Sequence, residues 1–341
     1  MNRSVFLKTT LLATGALAAS KSLSAFPKPL SKRDRMMQWL EGKPTAGYTP
    51  AAFFLHFDDA HRVGLPAAKK HMEYFRFTDM DFVKIQFEQD YNPVDFINKP
   101  ADWGKLKPNK LDFYEPQLVT VREIVKEAKK DALIIMTIYS PYMWAGQTAT
   151  YTKLAQHLQE DPDQVKKGLD ALVESQLLFV RKCIEIGVDG FYMSTQGAES
   201  GAFSDPDIFR KYIKPADLVA MREVTSRCPF NILHVCDYVA PYVSYDAVLD
   251  YPGQVVNCNT QLKDRQLSWR EVSAMFKRPN MGGMDRHGVI TKGTPDQVEA
   301  EVKRVLKGAP QQFILGADCT VDGSTDWNLL KRAIATAHQI G

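Results

Sequence analysis

Along most of the chain, short runs of apolar residues alternate with longer stretches whose apolar positions recur every three or four residues. The short runs predict strands at AAFFLHF (51–57), DFVKIQF (81–87), ALIIMTI (132–138), VDGFYM (188–193), FNILHVC (230–236), QVVNCN (254–259), NMGGMD (280–285) and QFILGA (312–317). Between them, residues 115–130 place Leu118, Val121, Ile124, Val125 and Ala128 on one helical face. Residues 163–187 read as a long helix stopped by Gly187, and 293–308 as a helix capped by Thr294, opened by Pro295 and stopped by Gly308.

Eight strands alternating with helices predict parallel βαβ units, and over this length a single (β/α)8 TIM barrel. An open doubly wound sheet is the second choice. It is weakened because no GxGxxG or GxxxxGK[ST] follows any strand. No linker or repeat divides the chain, so residues 26–341 are expected to form one domain.

Composition changes this picture little. The 341 residues are 45% hydrophobic and 24% charged, with a net charge of +3 and no Lys/Arg run that would mark nucleic-acid binding. Five cysteines (183, 228, 236, 258 and 319), with no CxxC pair, argue against a disulfide framework. The first residues do add something. MNRSVFLK is a basic start, followed by a weakly apolar stretch too short to span a bilayer. Residues 1–25 are expected to be an export signal resembling the twin-arginine type, with Ser4 where the second arginine would stand and cleavage near Ser20 to Ala25. The mature chain would then be exported or periplasmic, without a transmembrane span; without such a signal it would be cytoplasmic.

In a parallel barrel the chemistry gathers at the carboxyl ends of the strands. Alternation on strand 230–236 sends His234 and Cys236 to one face and Val235 to the other. Cys319 stands just past the last strand. A His/Cys/Cys set with an open fourth position suits one catalytic zinc, because thiolates select it over magnesium or calcium. The competing reading is a core strand in which histidine and cysteine are simply buried. By the same alternation, Cys258 faces away from Asn257 and Asn259. Cys183 reads as helix core. His61 and His71 read as surface residues of a helical region.

The segments YMSTQGAESGAFSDPDIFRKYIKP (192–215), ILHVC (232–236), GGMD (282–285), GTPDQVEAEVK (293–303) and FILGADC (313–319) resemble the uroporphyrinogen decarboxylase superfamily, in order, over roughly residues 45–341. The resemblance implies a single (β/α)8 barrel with its site at the carboxyl-terminal mouth. In one branch, cofactor-free decarboxylases carry an arginine motif after the first strand. At that place this chain reads LHFDDAHRVG (55–64), with Arg62 beside Asp58 and Asp59, carboxylates that would repel a polyanionic porphyrinogen. The other branch resembles methylcobalamin:coenzyme M methyltransferases, which hold zinc through His-x-Cys and a distant Cys. His234, Cys236 and Cys319 match that pattern, with Asp237 replacing the usual glycine.

The resemblance therefore implies zinc-dependent methyl transfer from a methylated corrinoid, supplied by a partner such as a corrinoid carrier protein, to a small-molecule thiol. Glu88, Asp237 and Asp285 are the candidates for proton handling or support of the ligands, although Asp285 could equally cap a local turn. His56, Tyr142 and Ser194 are the candidates for binding substrate. Tyr142, Trp144 and Tyr151 form an aromatic cluster able to flank a planar ligand or to pack a loop. The alternatives are decarboxylation of uroporphyrinogen to coproporphyrinogen and a non-catalytic exported binder of tetrapyrrole or corrinoid.

Overall fold

The computed structural model describes residues 30–43, 47–89 and 93–340; the expected export signal and its cleavage region lie outside them. Seven strands form one parallel sheet in chain order: β1 (Phe82–Ile85), β2 (Leu133–Tyr139), β3 (Gly190–Thr195), β4 (Ile232–Val235), β5 (Val255–Cys258), β6 (Asn280–Met284) and β7 (Phe313–Ala317). Every neighbouring pair is parallel. The connections carry helices, including Leu111–Ala128, Pro162–Ile186 and Pro295–Gly308. Both ends of the long helix are encoded locally. The Asp161 side chain accepts from the Gln164 N–H at the start, and Gly187 takes the left-handed conformation at the stop. In the helix that follows β6, Thr294 and Gln297 form a reciprocal capping box. Cys183 is core, as expected.

The strands are buried on both faces, so they read as continuous apolar runs rather than as alternating ones. Close approach is enforced at β3, where a Cβ on Gly190 would fall 1.6 Å from the Phe230 carbonyl oxygen. Among the described residues, no helix is long and apolar enough to cross a membrane.

The expected first strand is the main departure. Segment 51–57 makes isolated parallel bridges, Ala51 to Leu315 and Leu55 to Val321, and forms no continuous strand. On its other side, one backbone bond, from the Asp81 N–H to the Ala51 carbonyl at 3.1 Å, starts a ladder to β1, and side chains take groups along the rest of the segment. The Asp81 carboxylate accepts from the Ala51 N–H at 2.7 Å, Gln86 Nε2 donates to the Leu55 carbonyl at 2.9 Å, and Tyr74 Oη donates to that of Phe53 at 2.9 Å. An eight-stranded ladder is thereby replaced by a seven-stranded sheet with a side-chain-bonded segment along β7.

His71 also departs from expectation. It is buried on the inner face of helix Gly64–Thr78, where Nδ1–H donates to the Ala67 carbonyl and Nε2 accepts from the Gln86 N–H. Both ring nitrogens are used only in the neutral form, and burial pushes the pKa down to about 4.

Candidate metal centre

The parallel register sets His234 of β4 between Ser194 of β3 and Asn257 of β5. Cys236 lies one residue past β4, its N–H donating to the Thr195 carbonyl at 3.1 Å. Cys319 lies two residues past β7, after Asp318, whose N–H donates to the Met284 carbonyl at 3.0 Å. These turns bring one ligand atom from each of His234, Cys236 and Cys319 within 4.8 Å of one another, with Cys319 Sγ 3.4 Å from His234 Nε2.

The surroundings prepare the histidine as a ligand. Asn257 Nδ2 donates to the carbonyls of Met281 and Ala317, both at 2.9 Å, so its Oδ1 must face the other way. That oxygen accepts from Tyr192 Oη and from His234 Nδ1, each at 2.6 Å. The proton is thus held on Nδ1, leaving the Nε2 lone pair directed toward the thiols. The Tyr192 ring stacks on the imidazole, with centroids 4.9 Å apart and planes at 26°. The two thiols are shifted in opposite directions. Cys319 is drawn well below the ordinary cysteine range by the hydrogen bond from Cys236, with His234 and Arg286 adding to it, while Cys236 is pushed up by the same bond and by burial. Soft donors, a fixed tautomer and a thiolate-forming pair fit a zinc ion.

Two further groups border the centre. Arg286 pairs with Asp237 Oδ1 at 2.8 Å and with Asp318, and Asn259 Nδ2 donates to Asp237 Oδ2 at 2.8 Å. Asp237, the residue that departs from the resemblance, is therefore anchored by an arginine two strands away. Burial pushes Asp318 up to about 6 even beside Arg286. Lys84 of β1 is 5% exposed; its ammonium hydrogen-bonds Gln86 and lies 4.5 Å from the Tyr192 ring centroid and 4.8 Å from that of Phe54. Burial pushes its pKa down to about 7, against the pull of Cys319, Glu88 and Cys236.

The other sequence candidates are placed as follows. Ser194 is buried opposite His234 in the register. Glu88 pairs with His56 at 2.6 Å, and both line a cavity of about 420 Å³ with Arg62 and Tyr139; neither bonds the three ligands. Asp285 is exposed and accepts from the His287 N–H at 2.8 Å, a local turn cap. Tyr142 lines a separate cavity with Tyr151 and Glu199. Cys258 is buried, as alternation required, and its pKa is raised to about 12 by burial. Lys84, Gln196, Glu199 and the role of Asn257 were missed from the sequence. For Asn257 the signal was present, since alternation sets it on the face opposite Cys258. Lys84 shows as a charge inside an apolar strand run.

Parallel βα units wound in chain order, with ligand-type residues collected at the carboxyl ends of the strands, define the class of the molecule. The uroporphyrinogen decarboxylase (URO-D) family model matches residues 83–340, and the chain belongs to that family. Among solved structures it is similar to a methyltransferase from Methanosarcina mazei (15% identity, TM-score 0.67, covering 90% of this chain and 98% of the other). It is also similar to a B12-independent methionine synthase from Shewanella sp. W3-18-1 (10%, 0.56, 85% and 96%) and to a putative vitamin-B12 independent methionine synthase from Listeria monocytogenes (12%, 0.53, 79% and 84%). At these identities the likeness concerns the fold. No curated protein matches the chain.

Proposed function

We propose that this chain is a zinc-dependent enzyme that transfers a methyl group from a carrier, such as a methylated corrinoid, to a small-molecule thiol, on a barrel closed between β7 and β1 by segment 51–57. The convergence of His234, Cys236 and Cys319 from two separate strand ends, with the tautomer of His234 set by Asn257, carries this reading. The fold-level likeness to a methyltransferase agrees with it.

His234 Nε2 and the two cysteine sulfurs would hold zinc, which when bound lowers the pKa of a thiol at its fourth position. In the transfer, a sulfur–carbon bond forms, the bond from methyl to its carrier breaks, and the thiol proton leaves. Asn257 and Tyr192 keep the imidazole oriented throughout. The Lys84 ammonium supplies positive charge toward the two cysteines and offsets that of an incoming thiolate. Asp237 and Asp318, each adjacent in sequence to a ligand cysteine, are the carboxylates placed to accept the proton, with Arg286 holding both in position.

The two arginines of the mouth favour this reading over porphyrinogen decarboxylation, which needs such groups to meet substrate carboxylates. Arg62 lies within 3.8 Å of Asp59 and 4.0 Å of Glu88, and Arg286 is engaged by Asp237 and Asp318. The test is metal analysis of purified, folded protein together with methyl transfer from methylcobalamin to 2-mercaptoethanol. The expected result is about one zinc per chain, with activity abolished by a chelator and restored by zinc. Folded protein that takes up no zinc when the ion is supplied overturns the metal assignment. Zinc-loaded protein that instead decarboxylates uroporphyrinogen overturns the reaction.

A further inference from the structure

The cavity of about 230 Å³ noted above is lined by residues that include Tyr142, Tyr151, Gln196, Glu199 and Ser200. Glu199 is its unusual member. The residue is 7% exposed, and Oε2 accepts from the Gly197 N–H at 2.6 Å, whereas Oε1 is buried with no hydrogen-bond partner among the described residues. Among the described residues, no lysine, arginine or histidine pairs with it. Burial pushes its pKa up to about 7, so the charged form is costly here and is kept only when a cationic partner arrives from outside the chain; otherwise the carboxyl takes a proton.

The walls suggest which partner. Tyr142 and Tyr151 meet edge to face with centroids 5.9 Å apart, and Phe203 packs on Tyr142 at 6.1 Å. The loop is built to keep that wall in place. Gly197 has φ +100°, a conformation that favours glycine, and a Cβ there would crowd Ile213 at 3.2 Å and the Tyr142 ring at 3.3 Å. Aromatic faces around a buried carboxyl are the combination that holds an organic ammonium, the rings through their quadrupoles and the carboxylate through its charge. The cavity is also joined to the metal centre by one amide. Gln196 Oε1 accepts from Tyr151 Oη at 3.1 Å, while its Nε2 contacts Cys236 Sγ at 3.5 Å.

We infer that the Tyr142–Tyr151–Glu199 cavity binds the ammonium group of the small-molecule substrate, so that a cationic head is held here while the reacting atom reaches the centre formed by His234, Cys236 and Cys319. The second half of this statement rests on the function proposed above; binding of the cation does not. The two are separated by calorimetric titration of the full chain, metal-free and zinc-loaded, with choline and with its neutral isostere 3,3-dimethylbutan-1-ol, the zinc content of each sample being measured.

Choline is expected to bind both forms, with the isostere at least about tenfold weaker, a difference of about 1.4 kcal/mol. Glu199→Gln, which keeps shape and removes charge, is expected to abolish that preference, and Tyr142→Leu to weaken choline with Glu199 intact. Equal affinity for choline and the isostere, or choline binding unchanged in Glu199→Gln, overturns the inference while leaving the zinc reading untouched. Choline binding in a protein that takes up no zinc upholds the cavity and sinks the metal assignment instead.

Discussion

The two ends of the sheet treat buried charge in opposite ways. At the amino-terminal end, Asp189, just before β3, is fully engaged. Its oxygens accept from both terminal nitrogens of Arg33 at 2.7 and 2.8 Å, from Lys129 at 2.6 Å and from the Ile134 N–H at 2.9 Å. Asp81, before β1, is likewise bound by Tyr48, the Ala51 N–H and His338. At the carboxyl-terminal end, titratable groups are buried with capacity to spare. Among the described residues, Glu199 and Asp217 each keep an oxygen without a partner, Lys84 has hydrogen-bonded aromatic company but no carboxylate ion pair, and Cys319 is drawn well below the ordinary cysteine range while Cys236 is pushed up. Saturated charges anchor a fold, whereas unsaturated ones are kept where a ligand completes them. That difference is what locates the site.

Four substitutions would break or sharpen the contrast. Cys319→Ser should have the largest effect, removing most of the bound zinc while the protein stays folded; metal analysis showing unchanged zinc would mean that the ligand set is wrong. Asn257→Ala should follow. With His234 no longer held in one tautomer, zinc affinity is expected to fall about 10- to 100-fold in a chelator competition. At the opposite end, Asp189→Ala should leave zinc affinity alone and cost about 2 kcal/mol in denaturant unfolding. The cost stays moderate because Arg33 and Lys129 are 26% and 37% exposed and can be rehydrated. A loss of metal in this variant would erase the distinction between the ends.

Lys84→Met is the smallest and the most diagnostic of the four. The folded-state pKa of Lys84 is lowered to about 7 from 10.5, so below pH 7 the folded protein carries a buried ammonium. Between pH 7 and 10.5 the folded lysine releases its proton while the unfolded one keeps it, and stability rises with pH over that window. Methionine should therefore stabilise by about 1–2 kcal/mol at pH 6, with the gain shrinking toward pH 9, and should lower methyl-transfer activity. A gain that grows with pH would contradict the burial of this charge.

Strand positions β1 to β7 and the caps at Gly187 and Thr294 were legible in the sequence because each depends on residues a few positions apart. The face shared by His234 and Cys236 was legible for the same reason, since strand alternation needs no knowledge of neighbours. Segment 51–57 was misread because an apolar run reports burial, not the partner of its backbone; Asp81, Gln86 and Tyr74 claimed those groups from other elements. His71 was misread because it shares its helix with charged residues, and nothing local shows that its ring meets the Gln86 N–H.

The chain by itself determined an order of parallel βα units and a list of ligand-type residues at their carboxyl ends, because periodicity and local caps are short-range properties. Tertiary structure decided which of those residues meet. It brought Cys319 to His234 across 85 positions, turned Asn257 to hold the imidazole proton, and left Glu199 buried without a counter-ion among the described residues. Side-chain chemistry is written locally, whereas distance, burial and the pairing of charge are set by elements remote in the chain.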